Sequence, residues 1–176
     1  MGALTTGAFT VVPTTASAAE HAPMRCEGYT YIRVFKFGKP YYASRGPVVS
    51  KRNSSSSKAT LVYSIETTKT RKTAWSTATD FSISKVALEI KKTFNKEITK
   101  KVAKGRTVTN RMTVDPGKRG YTQPMVEFQR YKVERWRELW DCSHKWAEDI
   151  GILKGITSSL HFAECQTRAA SCTPKP

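Results

Sequence analysis

The chain has 176 residues, which is enough for one domain of ordinary size or for one domain with an extended arm. Its 30 Lys and Arg residues outnumber its 14 Asp and Glu residues, and the net charge of +16 predicts attraction to polyanions. A self-repelling soluble surface without a dedicated ligand is the alternative. No run is apolar for long enough to predict a helix that crosses a bilayer.

Residues 1–25 are predicted to be the remnant of a secretion signal followed by a linker. Residues 3–12 are mildly apolar, and residues 16–18 (Ala-Ser-Ala) have the small-residue pattern of a cleavage site. The basic segment that usually precedes such a signal is missing, so an unstructured or strand-forming arm is the alternative. Residues 26–176 are then expected to form a single disulfide-linked β domain of a secreted, extracellular protein.

Four cysteines follow the predicted cleavage point, and an even number in an exported chain predicts two disulfides. They are Cys26, Cys142, Cys165 and Cys172. Of the three connectivities we favour Cys142–Cys165 and Cys26–Cys172, because the second would join the two ends of the domain. Zinc is the competing interpretation, since His161 and Cys165 are four residues apart. A structural zinc site needs four such ligands, so we predict neither a metal nor a cofactor.

The first predicted strand spans residues 29–37, where every second residue is large and mostly aromatic. This face consists of Tyr29, Tyr31, Arg33, Phe35 and Phe37. The turn-forming sequence Gly38-Lys39-Pro40 is expected to end the strand.

Residues 53–114 are dense in Ser and Thr, contain no Pro and have a single Gly. This composition predicts long solvated strands, because β-branched side chains fit a pleated surface. The individual strands are predicted at residues 58–68, 73–84 and 107–114. In the first of them Leu61, Tyr63 and Ile65 point to one side, as expected for a strand with one buried face.

Residues 84–104 fit two structures. Their apolar side chains occupy alternate positions, as on one face of a strand, and most of them also recur at the four-residue spacing of a helical stripe. They are Val86, Leu88, Ile90, Phe94, Ile98 and Val102. Abundant Lys and Glu favour a helix, whereas the Ser/Thr-rich strands on both sides favour a strand, which is the structure we predict.

The remainder of the chain alternates turns and short elements. Residues 115–120 (Asp-Pro-Gly-Lys-Arg-Gly) predict a turn, and strands are predicted at residues 125–133 and 159–164. Ser143 is placed to cap a short helix that runs towards Ile150. The predicted fold is therefore mainly β, an elongated antiparallel sheet or sandwich with long Ser/Thr-rich strands and a short C-terminal helix.

No catalytic site is predicted, so the chain is not expected to be an enzyme. Cys142 and His144 are neighbours at i,i+2, and this spacing alone does not position a nucleophile and its base. The acidic residues Asp141, Glu148 and Asp149 are expected to balance nearby cations rather than to act as an acid–base pair. No Gly-rich phosphate-binding loop is present in the sequence.

A hairpin from within residues 82–104 is the candidate membrane-binding or partner-binding face. Arms at residues 82–90 and 94–102 would alternate as a membrane-inserting hairpin must, with lipid on one side and water on the other. The basic surface of this segment consists of Lys91, Lys92, Lys96, Lys100 and Lys101. Lysines with the parity of the apolar face would each cost roughly 2–4 kcal/mol at the bilayer midplane, so a segment that covers the protein's own core is favoured.

Residues 130–137 (Arg-Tyr-Lys-Val-Glu-Arg-Trp-Arg) interleave basic and aromatic side chains, as nucleic-acid-binding surfaces do. The same pattern is common in solvated strands, where Lys and Arg stems cover apolar neighbours. Nucleic acid is therefore an unfavoured partner.

Several motifs between residues 53 and 136 resemble those of small secreted β-proteins from filamentous soil bacteria. They are the Asn/Ser-rich start at residues 53–57, Phe-Ser-Ile-Ser-Lys at residues 81–85, the Thr-x-Thr strand at residues 107–113, the turn at residues 114–118 and Tyr-Lys-Val-Glu-Arg-Trp at residues 131–136. Within that group the chain is similar to the B-type adaptor subunit of umbrella toxin particles. The order of strands and turns also resembles the pore module of aerolysin and epsilon-toxin-like proteins.

The resemblance implies a structural role in which an adaptor links lectin-bearing subunits to a large toxin-bearing subunit, and it implies no catalytic residues. The leading hypothesis is a non-enzymatic secreted adaptor that acts by protein–protein binding. Its partners would be other subunits of a secreted complex, with an anionic cell-surface polymer or membrane as a further candidate. The alternative hypothesis is an aerolysin-like pore-forming toxin that inserts the hairpin from residues 82–104.

Overall fold

The computed structural model of the protein describes residues 26–157 and 160–176. The predicted signal remnant at residues 1–25 and the start of the strand predicted at residues 159–164 lie outside the described residues. The strands and the helix are β1 Thr30–Ser44, β2 Val49–Arg52, β3 Ala59–Glu66, β4 Arg71–Lys72, β5 Ala74–Trp75, α1 Ile83–Phe94, β6 Lys101–Val102, β7 Thr107–Val114, β8 Arg119–Glu138, β9 His144–Ile156 and β10 His161–Thr167.

Strand β8 organises the largest sheet because its 20 residues pair with four other strands. Strands β1 and β9 pair with its central and C-terminal parts, and β2 and β10 pair with its N-terminal part. All of these pairings are antiparallel, and β5 extends the sheet beyond β9. Two further two-stranded antiparallel sheets are formed by β3 with β7 and by β4 with β6.

The two faces of β8 are covered by different elements at its two ends. Near the N-terminal end, the β3–β7 pair packs on the even-numbered residues of β8, and a Cβ added at Gly120 would lie only 2.5 Å from Val114 Cγ2. This glycine therefore allows the close approach of the pair. Near the C-terminal end, α1 packs on the odd-numbered residues Tyr131 and Val133. Alternation along the strand places these two packed surfaces on opposite faces of the sheet.

Residues 83–94 form a helix, so the strand predicted for residues 84–104 is wrong over most of its length, and only residues 101–102 pair as a strand. Val86 and Ile90 are four residues apart, lie on one face of α1 and are completely buried against the sheet. Burial of such a side chain contributes roughly 1.5–3 kcal/mol, which exceeds the small propensity differences that the sequence pattern reflects. The helix ends at Asn95, which adopts the left-handed conformation with φ 51°.

The predicted C-terminal helix is also wrong, because residues 144–156 form strand β9 along β8. Strand β1 does not end at Gly38-Lys39-Pro40 but continues to Ser44 with an irregular register between Phe37 and Tyr41. The strand predicted at residues 73–84 is mostly absent. In this region only β4 (residues 71–72) and β5 (residues 74–75) pair as strands. The errors at β9 and at the end of β1 share one cause, which is that pairing with β8 overrides the local capping and turn signals.

Three strand predictions are confirmed, as is a mainly β fold with antiparallel sheets. Strand β7 has the predicted bounds, and β3 lies within the predicted range with Leu61, Tyr63 and Ile65 buried. The strand predicted at residues 125–133 is the middle of β8.

The two predicted disulfides are present, but their predicted pairing is wrong. Cys26 pairs with Cys142, and Cys165 pairs with Cys172. The antiparallel register of β1 and β8 brings Thr30 opposite Arg137, so the residues just outside these strands meet at the same end of the sheet. Strand β10 instead pairs with the opposite end of β8, where Cys165 faces Tyr121. At about 3.3 Å per strand residue, the two ends of the 20-residue strand β8 are roughly 60 Å apart, which is too far for the predicted bonds.

The two disulfides should contribute unequally to stability. The Cys26–Cys142 bond closes a loop of 116 residues and the Cys165–Cys172 bond one of seven. Loop-closure entropy then predicts a loss of about 5 kcal/mol when the first pair is replaced by serines and about 2 kcal/mol for the second pair. Urea unfolding followed by circular dichroism measures both losses. Equal losses, or a larger loss for the second pair, would contradict this ordering.

Candidate functional site: an open aromatic face

One half of the large sheet has a face that no other element of the described chain covers. On β8 it comprises the even-numbered residues from 130 to 136, which point away from α1. We call this surface the open face. Its members are Tyr31, Arg33, Phe35 and Phe37 of β1, Arg130, Lys132, Glu134 and Trp136 of β8, and Trp146, Asp149 and Lys154 of β9.

Strand register explains why aromatic residues gather on the open face. In β1 the odd-numbered residues carry the aromatic rings, while Ile32 and Val34 point to the helix-covered core. Tyr31 pairs with Trp136, which in turn pairs with Trp146 on β9. Paired residues share a face of the sheet, so three rings from three strands form one row.

At the disulfide end of the open face the rings contact one another and a guanidinium group. The Tyr31 ring lies 5.6 Å from that of Tyr29 and 5.7 Å from that of His144. The Arg33 guanidinium stacks 4.3 Å from the Trp136 ring, a cation–π distance. The Trp136 indole N–H donates a 2.9 Å hydrogen bond to Glu134 Oε2. These contacts hold the rings in fixed orientations.

The central charges of the open face are paired with one another. Lys132 Nζ lies 2.8 Å from Glu134 Oε1 and 3.0 Å from Asp149 Oδ1, and these hydrogen bonds raise the pKa of Lys132. The Arg130 guanidinium lies 5.0 Å from the Phe37 ring. Lys132 and Asp149 are substantially exposed to water, whereas the Glu134 side chain is only 12% exposed. The exposed Lys132–Asp149 pair contributes little to stability, but both pairs order the side chains around the rings.

Three aromatic rings of the open face are exposed to solvent. The exposed fraction is 42% for both Phe35 and Phe37 and 49% for Trp146. At the disulfide end, Tyr29 is also more than half exposed. Isolated exposed apolar residues are normal, but several exposed rings on one face of a sheet are typical of an interaction site.

Most of the apolar residues predicted at residues 84–104 to face a membrane or partner contribute instead to the protein's own core. Val86, Ile90 and Val102 are buried, and Phe94 and Ile98 are half-buried against the core. Leu88 is the exception, with 57% of its surface exposed beside Thr30 and Ile32 of β1. The predicted basic residues Lys91, Lys92, Lys96, Lys100 and Lys101 are all exposed.

The described residues contain no group of three or more His, Cys, Asp or Glu side chains placed to hold a metal ion. Cys142 is bonded to Cys26, so it has no thiol with which to act as a nucleophile beside His144. Within residues 26–157 and 160–176, no helix has the length and apolar character needed to cross a membrane.

Sequence patterns identified the components of the open face but not the face itself. The alternation at residues 29–37 predicted the aromatic side of β1, and residues 130–137 were noted for their basic and aromatic side chains. Those eight residues divide between two surfaces, since Tyr131 packs in the core and Trp136 lies on the open face. The position of α1 decides which face of the sheet stays open. Because residues 84–104 were predicted to form a strand, the sequence did not predict which face a helix would cover.

No family model and no curated protein matches the chain. The resemblance to umbrella toxin adaptors and to aerolysin-like proteins therefore stays a prediction.

Tryptophan fluorescence tests the geometry of the open face. Trp146 is exposed, whereas the Trp75 indole N–H donates a 3.0 Å hydrogen bond to the Phe81 carbonyl beside the helix-covered core. Acrylamide quenching should therefore decrease in Trp146→Phe, which removes an accessible fluorophore. It should increase in the matched control Trp75→Phe, which removes a shielded one. The same direction of change in both variants would contradict this arrangement.

Proposed function

We propose that the protein is a non-enzymatic, secreted binding subunit that docks an acidic protein partner on its open face, as an adaptor within an extracellular complex. The observation that carries this proposal is the exposure of Phe35, Phe37 and Trp146 on one face of the sheet, together with the arginines and lysines of that face.

Aromatic and arginine side chains dominate the energetics of protein interfaces because each buries a large area in a few rotamers. Here the cost of ordering them is reduced before binding, since Arg33 already stacks on Trp136 and Arg130 on Phe37. The open face therefore has the composition and the preorganisation of an interface centre.

Charge favours an acidic partner. The net charge of the chain is +16, and such a field accelerates encounter with a negatively charged surface while repelling basic ones. Two disulfides are consistent with an oxidising, extracellular location. An acidic subunit of a secreted complex satisfies both conditions.

The edge of the large sheet offers a second means of docking. Strand β1 is at one end of the strand order and has no partner on its outer edge among the described strands. An edge of this kind presents free backbone N–H and C=O groups to which a partner strand can add. Backbone pairing along β1 would place the partner next to Phe35 and Phe37.

Pore formation is less well supported, because it requires α1 to unfold. Val86 and Ile90 would have to leave a core in which they are completely buried. We therefore expect the purified protein to remain monomeric on a sizing column and to cause no dye release from anionic liposomes. Leakage that coincides with a high-mass oligomer would overturn the adaptor proposal.

A retention experiment tests the docking surface. The immobilised protein is incubated with culture supernatant of the cells that produce it, and the bound proteins are quantified by mass spectrometry. An acidic extracellular protein should be retained by the wild type and at least about tenfold less by Phe35→Ser/Trp146→Ser, since truncation of interface hot spots costs about 2 kcal/mol or more.

The matched control is Val62→Ser, which removes a comparably exposed apolar side chain from β3, in a different sheet. It should retain the partner as the wild type does, and thermal unfolding of all variants checks that the fold is intact. Equal retention by the wild type and the Phe35/Trp146 variant would refute the proposed docking surface.

A further inference from the structure

Arg45 is an arginine in the interior of the protein, with only 3% of its surface exposed. Its backbone is fixed where the chain leaves β1. The N–H donates to the Pro124 carbonyl at 2.8 Å, and its carbonyl accepts from the N–H groups of Thr68 at 2.8 Å and Lys69 at 2.9 Å. Three hydrogen bonds therefore fix the backbone from which the Arg45 side chain extends.

The guanidinium of Arg45 has incomplete hydrogen bonding and no counter-ion in the described part of the chain. Nη2 donates a 2.6 Å hydrogen bond to the Ala103 carbonyl, but Nε has no acceptor. No Asp or Glu of the described residues lies within ion-pair distance of this side chain. Burial lowers the pKa of Arg45, and the nearby positive charge of Arg106 lowers it further.

Arg45 lines a cavity of about 660 Å³ whose charged lining residues are all cationic. Lys101 and Arg106 are the other two cations, and Thr99 and Thr107 add hydroxyl groups. Val102 and Val108 are among the apolar residues of the wall. The volume lies within the roughly 300–1,000 Å³ of typical small-molecule sites.

An unpaired buried cation is costly, and proteins normally offset that cost with an anion. Three cations and two hydroxyl groups around one cavity suit a multiply charged tetrahedral oxyanion, because a guanidinium matches its oxygens in a bidentate manner. The cavity is larger than such an ion alone, and its apolar wall can receive an organic group.

We propose that this cavity is a binding site for a small organic anion that carries a phosphate or sulfate group. The anionic group contacts Arg45, Lys101 and Arg106, and the organic portion lies against the apolar wall. The site shares no lining residue with the open face, so it is independent of the proposed adaptor function.

Isothermal titration calorimetry with phenyl phosphate and phenyl sulfate tests the site and distinguishes its two candidate anions. Sodium chloride at matched ionic strength controls for non-specific screening. We expect one saturable site for at least one of the two compounds, and the tighter of them identifies the preferred anion. Absence of saturable binding for both compounds would overturn the proposal.

Variants of the exposed cations carry the residue-level test, because replacing Arg45 would also remove its hydrogen bond to Ala103 and thereby affect folding. Lys101→Ala and Arg106→Ala should each weaken binding about tenfold or more, as loss of a charge-assisted contact does. The matched control Lys91→Ala/Lys92→Ala removes charge from α1, outside the cavity, and should bind as the wild type does. An equal loss in the control variant would show non-specific attraction and contradict the site.

Discussion

The hydrogen-bonded pairing of β8 with four other strands is the constraint on which the rest of the structure depends. The strand is longer than a typical strand of five or six residues, so its two ends contact different elements of the fold. One end receives β2, β10 and the packed β3–β7 pair, and the other receives β1, β9 and the helix. The register of these pairings decides which cysteines meet, and it aligns the rings of Tyr31, Trp136 and Trp146 across three strands.

Coverage of the sheet explains where binding surfaces arise. The helix buries the odd-numbered face of β8 around Tyr131, and the β3–β7 pair buries the even-numbered face around Gly120. At the N-terminal end the odd-numbered face is also covered, since Tyr121 is buried and its hydroxyl donates to the Ala170 carbonyl, so the uncovered face lies at the helix end. At the helix end the uncovered sheet carries aromatic rings with fixed cations, and for this reason it is the surface to which we assign partner binding. The cavity beside Arg45 lies elsewhere, where residues 99–108 pass the junction after β1.

Local sequence patterns predicted those strands in which buried and exposed residues alternate strictly along the chain. Leu61, Tyr63 and Ile65 identified β3, and the turn at residues 115–120 located the end of β7. The patterns failed where two periodicities coincide, since Val86 and Ile90 satisfy both a strand and a helix and only packing on the sheet separates the two. The disulfide pairing depended on the register of β1 with β8, a long-range property that cysteine spacing does not contain. The open face and the isolated Arg45 guanidinium could not be predicted from the sequence for the same reason. Both depend on which parts of the sheet and of the chain other elements cover.

Hydroxyl-radical footprinting of the protein within its extracellular complex tests the central claim most directly. Oxidation of each side chain would be compared between the free protein and the complex recovered from culture supernatant. The account predicts protection of Phe35, Phe37 and Trp146, with unchanged reactivity of the exposed residues Val48 and Val62 outside the open face. Protection confined to Val48 or Val62, or reactivity identical in the two samples, would contradict the assignment of the open face as the docking surface.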